Sequence, residues 1–334
     1  MLLPLHGLGG AKDLPIPLGL AVATAAASLV VSFCVLALAW RTPRYQQEGG
    51  RPAPPWLARM VDDDRFRWTV RILGLLFFGY VTWALIWGPD LTNNPALGTF
   101  YVLVWVGMVP ASLLFGRIAR AVSPVRTINL LLARVTGGDP AVGVVAYPAR
   151  LGYWPAALGL FAFVWQELVN PQSVYLGSVR IWLAAYLAVM LVGAAVFGEE
   201  WFERADPFEV YSSLLAKLSP WGRTEGRLVV RSPLANLGTT VPRPGLVAAV
   251  AVLFGSTAFD SYKDTIQWQR FVLDAGLNEI FVNSVALLVF CLVVGGTFTV
   301  AAMSTGVETT GPRAVRRTAL PDMLAHSVIP IIVG

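Results

Sequence analysis

Several apolar runs in this chain exceed the roughly 17 residues that span the hydrocarbon core of a bilayer as a helix. That single feature constrains the fold more than any other. A chain of 334 residues is long enough for two soluble domains, and the runs exclude that reading. Charged residues make up 13% of the chain against about 25% in an ordinary soluble domain, and apolar residues make up 56%. The expected fold is all-α: a polytopic transmembrane helix bundle in a lipid bilayer, with residues 1–334 forming one transmembrane domain.

Seven complete spans fit the pattern, at about 18–40, 69–88, 99–116, 151–169, 179–198, 245–259 and 279–303. The sequence ends in LAHSVIPIIVG, which begins an eighth span, so a longer chain is expected beyond residue 334. Basic residues set the orientation. The loops 41–68, 117–150, 199–244 and 304–322 carry twenty Lys or Arg, and the opposite side carries only Lys12, Lys263 and Arg270. Cytoplasmic loops hold such an excess, so the N-terminus is expected outside. The net charge of +5 then follows from topology and is no evidence of a nucleic-acid partner. Only three of 25 basic residues are Lys, a usage that points to a GC-rich bacterial genome and a bacterial plasma membrane. Cys34 and Cys291 both lie in apolar runs and read as small buried hydrophobes.

Three inside loops carry helix-start signals. In the largest, 199–244, Asp206 is placed as an N-cap, Pro207 at the first helical position and Glu209 to close a capping box. Phe208, Tyr211, Leu215 and Leu218 then follow at helical spacing, which predicts an amphipathic helix over 206–218 lying on the membrane surface. The second loop reads SPVRTINLLLARV, again a capping residue and Pro, with Val125, Ile128, Leu131 and Leu132 apolar. At an offset of 83, LLLARV falls on SLLAKL, which suggests a repeated unit of span, loop helix and span; PPWLARM holds a comparable place in the first loop.

Polar residues inside or beside spans are functional candidates by default. Glu167, in FVWQELVNP, and Arg180, which opens the next span, sit at similar depth and are expected to pair. Asp260 and Asp264, and likewise Glu279 and Asn283, are four residues apart and share a face on a continuous helix. Paired carboxylates do acid/base work or hold a divalent metal. The opening segment 1–17, with HGLGGAKDLPIP, brings His6 and Asp13 to the same outer side, and its glycines and prolines suit a lid folded over the mouth. The other histidine, His326, lies about one turn into the final apolar run. No haem, nucleotide or iron–sulfur signature is present: the chain lacks a Gly-rich phosphate loop, CxxC, HxH, HExxH and GxSxG.

HGLGGAKDLPIP, ALAWRTPR, GEEWFERADPFEVYSSLLAKLSPWGR, STAFDSYKDT and LAHSVIP, in that order, resemble a family of bacterial multi-pass membrane proteins, the fenitrothion hydrolases. The resemblance implies a membrane-bound enzyme that hydrolyses an organophosphate triester and acts with a second, similar subunit. Two readings follow. In the first, a hydrolase site on the outer face uses His6, Asp13, Asp260, Asp264 and Glu279. In the second, a transporter or complex subunit lines a path with Glu167, Arg180, Glu279 and His326.

Overall fold

The computed structural model describes residues 17–39, 50–305 and 316–333. His6 and Asp13, and with them the expected lid, lie outside the described residues. The chain divides into two units, Met1–Gln46 and Gln47–Gly334. The first contains α1 (Leu18–Ala39), whose sequence is apolar throughout. A helix that is hydrophobic all round needs lipid or a packed core about it.

The second unit opens with α2 (Pro55–Asp62) and α3 (Asp64–Trp87). Asp63 accepts from the Arg65 amide at 2.7 Å and so starts α3. At the other end of that helix Asn94 donates to the Ala84 and Pro89 carbonyls. The same side chain accepts from the Ala96 amide at 2.8 Å and starts α4 (Pro95–Leu97). A π-helical stretch, Gly98–Val106, continues it and is followed by α5 (Met108–Phe115), bent by 48° from what precedes. Pro110 explains the break. It has no amide to give the Val106 carbonyl, and its ring crowds that turn, so the ladder shifts to wider bonds such as Gly107 to Val102.

After α6 (Ile118–Val122) and α7 (Pro124–Thr136) comes α8 (Trp154–Leu168), the centre of the core. Ala156, Ala157, Leu160, Phe163 and Val164 are all buried along it. Phe163 packs against the rings of Phe100, Trp105, Trp182 and Phe208 at centroid distances of 5.0 to 5.6 Å. Then follow α9 (Leu176–Phe197), α10 (Glu199–Ala205), α11 (Pro207–Leu215) and α12 (Pro233–Leu237). The chain continues through α13 (Leu246–Lys263), α14 (Ile266–Asp274) and α15 (Glu279–Ser304), then the short α16 (Leu320–Leu324) and α17 (Ile329–Val333). Packing of α13 on α15 is close enough to require glycine: a Cβ at Gly255 would lie 2.7 Å from Cys291 Cα. Small residues let membrane helices approach in this way. Of the two cysteines expected to be buried, Cys291 is buried there and Cys34 on α1 is exposed.

Of the described residues 76% are helical, and the all-α class stands. Four described helices, α3, α9, α13 and α15, are long and apolar enough to cross a membrane, or five if the bent pair counts as one span. The expected span at 151–169 is the 15-residue α8; at about 1.5 Å per residue it is only about 22 Å long. Its burial on several sides removes the need to match the bilayer. One element was not anticipated: a small antiparallel sheet of β1 (Arg51–Pro52), β2 (Trp221–Thr224) and β3 (Arg227–Val230), in the order β1-β3-β2.

Three of the four basic loops meet one another, and the fourth reaches the start of α13. Arg51 pairs with Val230 in the sheet, Asp62 accepts from Arg223 at 2.6 Å, and Arg120 reaches Glu199 at 2.9 Å. Asp322 accepts from the Val247 amide at 3.5 Å. The side they share is the basic end below.

Of the three loop helices, α2 and α7 lie on the surface, and α11 does not. Its predicted apolar face is covered, but Pro207, Glu209, Val210, Ser212 and Leu214 on its other faces are buried too. It inserts among α5, α6 and α8, with Gly159 of α8 facing the Pro207 ring. The Asp206 cap forms as expected, and the chain tightens into a 3-10 turn at Ala216–Leu218. The reciprocal arm of the capping box does not form, because Glu209 is claimed by a guanidinium.

Candidate functional site

At the end opposite the basic loops, the expected site residues are only partly gathered. Asp260, near the end of α13, pairs with Lys263 at 3.2 Å, and Glu167 lies in electrostatic range of both. Asp264 follows the last helical residue of α13 and is exposed, as is Glu279 in the first turn of α15. Asn283 accepts from the Trp268 indole at 3.0 Å, which fastens α14 to α15. His326 sits in a 3-10 turn with Nδ1 2.8 Å from the Met323 carbonyl oxygen. Among the described residues, no group of three or more His, Cys, Asp or Glu is placed to hold a metal ion.

The expected Glu167–Arg180 ion pair is absent from the described residues. Arg180 instead donates Nε to the Leu85 carbonyl at 2.7 Å, with Ile86 O at 3.5 Å from Nη2. Those carbonyls end α3 without intrahelical partners, and a cation there also meets the negative end of the helix dipole. The polar residue that ties this region together is Gln166. It is buried, donates to Ser178 Oγ at 2.6 Å and accepts from Asn170 at 2.8 Å.

The basic end is more elaborate, and it is built twice. Phe115 ends α5 and Phe197 ends α9, and each is followed by a glycine, Gly116 (φ 77, ψ −141) and Gly198 (φ 70, ψ −157). Only glycine takes such angles without strain. Each turn leads into a short helix, α6 or α10, then an extended cap residue and a proline. Ser123 (φ −53, ψ 115) accepts from the Arg126 amide; Asp206 (φ −71, ψ 114) accepts from the amides of Phe208 and Glu209. The two units then join through equivalent positions. Arg126 donates to Glu209 from Nη2 at 2.8 Å and from Nε at 2.5 Å, and Arg120 pairs with Glu203, both at the same offset of 83. Arg126 also reaches Glu199 at 2.5 Å and lies over the Phe202 ring at 5.0 Å. Ser212 meets Ser112 at 2.9 Å and accepts from the Ala119 amide in the first turn of α6.

Electrostatics follow from burial. Glu209 and Asp206 are almost fully enclosed. Burial works against the Arg126 charge, and the Glu209 carboxylate more than offsets it, holding the guanidinium above its ordinary value. Among the described residues, Asp206 has no cation paired with it. Burial, with Glu209 adding to it, pushes its carboxyl up to about 7, although Tyr186 and two backbone amides donate to it.

Two cavities flank this network. One, of about 530 Å³, is lined by Arg117, Tyr153, Lys217, Trp221, Arg231 and Arg243 among others. The second, of about 490 Å³, is walled by Phe77, Phe100, Leu103, Trp182 and Phe208 and reaches Asp206. Helix α6 separates them: Arg117, Arg120 and Ala121 face the basic cavity, whereas Ile118, Ala119 and Val122 face the apolar one. Glu209 lines both. Each is of ligand size.

Sequence reasoning passed over this end because loop charges are ordinary there. The available signal was the 83-residue offset, which sets Arg126 against Glu209 and Arg120 against Glu203. Comparison with protein-family models, curated proteins and solved structures finds no match to this chain.

Proposed function

We propose that the chain is a transporter, or a non-catalytic subunit of a membrane complex, that holds a ligand between its two cavities. The observation that carries this reading is Glu209, buried between an apolar and a basic cavity and locked by Arg126. Two repeated units and a broken span support it, since duplicated halves and discontinuous helices build the midplane sites of many transporters. The wider layout we propose has seven spans, an outside N-terminus and the basic end in the cytoplasm of a bacterium. In it the ion pairs joining α6, α7, α10 and α11 form a gate.

Thiol accessibility tests the gate in a chain with Cys34→Ala and Cys291→Ala. An impermeant reagent applied from the basic end labels Thr240→Cys in the basic cavity and leaves Ala111→Cys in the apolar one protected. Glu209→Gln, in which Arg126 keeps Glu199, then exposes Ala111→Cys. Continued protection in that variant refutes the gate. A second reading, an outer-facing phosphotriester hydrolase, draws on the nearness of Glu167 and Asp260 and on the family resemblance. Hydrolysis of an aryl phosphotriester by purified protein with added divalent metal, lost in Asp260→Asn, supports that reading; no turnover removes it.

A further inference from the structure

We infer that the basic cavity is a binding site for a phosphate group, held by Arg231, Lys217, Arg243 and Arg117. The inference is independent of the gate. Six cationic side chains line the cavity against two carboxylates, Glu203 and Glu209. Both carboxylates are already taken by Arg120 and Arg126, and Arg223 is taken by Asp62. That leaves Arg117, Lys217, Arg231 and Arg243, none of which has a carboxylate within ion-pair distance among the described residues. Four cations around one cavity repel one another, and the field they focus draws an anion that relieves that repulsion.

Arg231 gives the second, separate observation. It is 9% exposed, and its Nη2 donates to Thr224 Oγ1 at 2.7 Å. Its Nε is buried with no hydrogen-bond partner. A buried N–H without an acceptor is expensive to maintain, and an oxyanion oxygen is the acceptor that suits a guanidinium best. Room for the side chain depends on Gly222, where a Cβ would lie 2.6 Å from that Nε. Lys217 donates to Thr239 through O and Oγ1, which points the ammonium and leaves one N–H free for a ligand. Burial, with Arg117 and Arg231 adding to it, pulls Lys217 down to about 8; a bound anion reverses that effect.

A phosphate group fits these groups better than a carboxylate does, because it carries up to two charges and offers oxygens in several directions. The cavity exceeds one phosphate, and Tyr153 and Trp221 line the remainder, so the phosphate is the head of a larger molecule. A phospholipid headgroup and a soluble phosphorylated compound share that chemistry, and basic pockets between membrane helices are known to take headgroups.

The test uses the full chain in neutral detergent and in phosphatidylcholine nanodiscs with or without phosphatidylglycerol. Inorganic phosphate, titrated at constant ionic strength against chloride, is expected to raise the thermal midpoint. Arg231→Gln and Lys217→Met are expected to weaken binding about ten-fold or more each, as loss of one charge-assisted hydrogen bond does. Arg227→Gln, an exposed charge outside the cavity, is expected to leave binding unchanged. Arg243→Gln serves where either cavity variant fails to fold. Protection by free phosphate identifies a soluble ligand; protection by phosphatidylglycerol that phosphate does not displace identifies a headgroup. The proposal is overturned if neither probe exceeds chloride, or if Arg227→Gln weakens binding as much as Arg231→Gln.

Discussion

Replacing Arg126 with Met removes one partner of a buried ion pair and leaves the other in place. Glu209 is 3% exposed, and Arg126 supplies two of its hydrogen bonds, at 2.5 and 2.8 Å. The next cation, Arg120, stands at 3.9 Å and already serves Glu199 and Glu203. An unpaired carboxylate in such a site destabilises by about 3–5 kcal/mol. Coulomb's law gives a similar size: two charges 4 Å apart interact by about 4 kcal/mol at an effective dielectric of 20. The stem of Met keeps most of the packing on Phe202, so the loss reports charge rather than volume. For a protein of this size the thermal midpoint in detergent should fall by about 4–7 °C. Glu209→Gln alone should cost less, because Arg126 retains Glu199 at 2.5 Å. The decisive measurement is the double variant. With Arg126→Met and Glu209→Gln together no buried charge is stranded, and the midpoint should recover toward the native value, giving a coupling of more than about 1 kcal/mol in the cycle. Additive losses would show that the pair does not hold the two repeated units together.

Asp206, with a carboxyl near 7 in the folded state, takes up a proton that the unfolded chain has already released. Its contribution therefore declines as pH rises from the ordinary carboxylate range through 7, and Asp206→Asn should flatten that slope in a stability–pH profile. Asp206→Ala should instead lower stability at every pH, by about 1 kcal/mol for the cap, with more for the stranded Tyr186 hydroxyl. Gly255→Ala should force α13 away from Cys291 and lower the midpoint by an amount equivalent to about 1–3 kcal/mol; an unchanged midpoint would mean the helices do not pack this closely. Cysteine labelling at Gly50 and Thr92 should reach the first only from the cytoplasm and the second only from outside, and the reverse would overturn the orientation.

Much of this architecture was legible in local chemistry. Run length and charge scarcity put the chain in a membrane. Ser123–Pro124 and Asp206–Pro207 announce α7 and α11, because a capping oxygen and a pre-set proline angle act on amides only two or three residues away. The asymmetry of Arg and Lys grouped four distant loops, and three of them do meet. What the sequence did not reveal was the partner of each buried charge. Arg180 was matched with Glu167 by depth, yet it turned to the open carbonyls of α3, which no residue pattern marks. Glu209 was assigned to a local backbone bond and was taken by Arg126. The periodicity of α11 showed one apolar face, and only the packing of α5, α6 and α8 around it closed the other. A helix start depends on neighbours in the chain and on short-range hydrogen bonds. A desolvated charge depends on whichever group of opposite sign the fold brings within about 3 Å, and that distance exists only once the tertiary structure has formed.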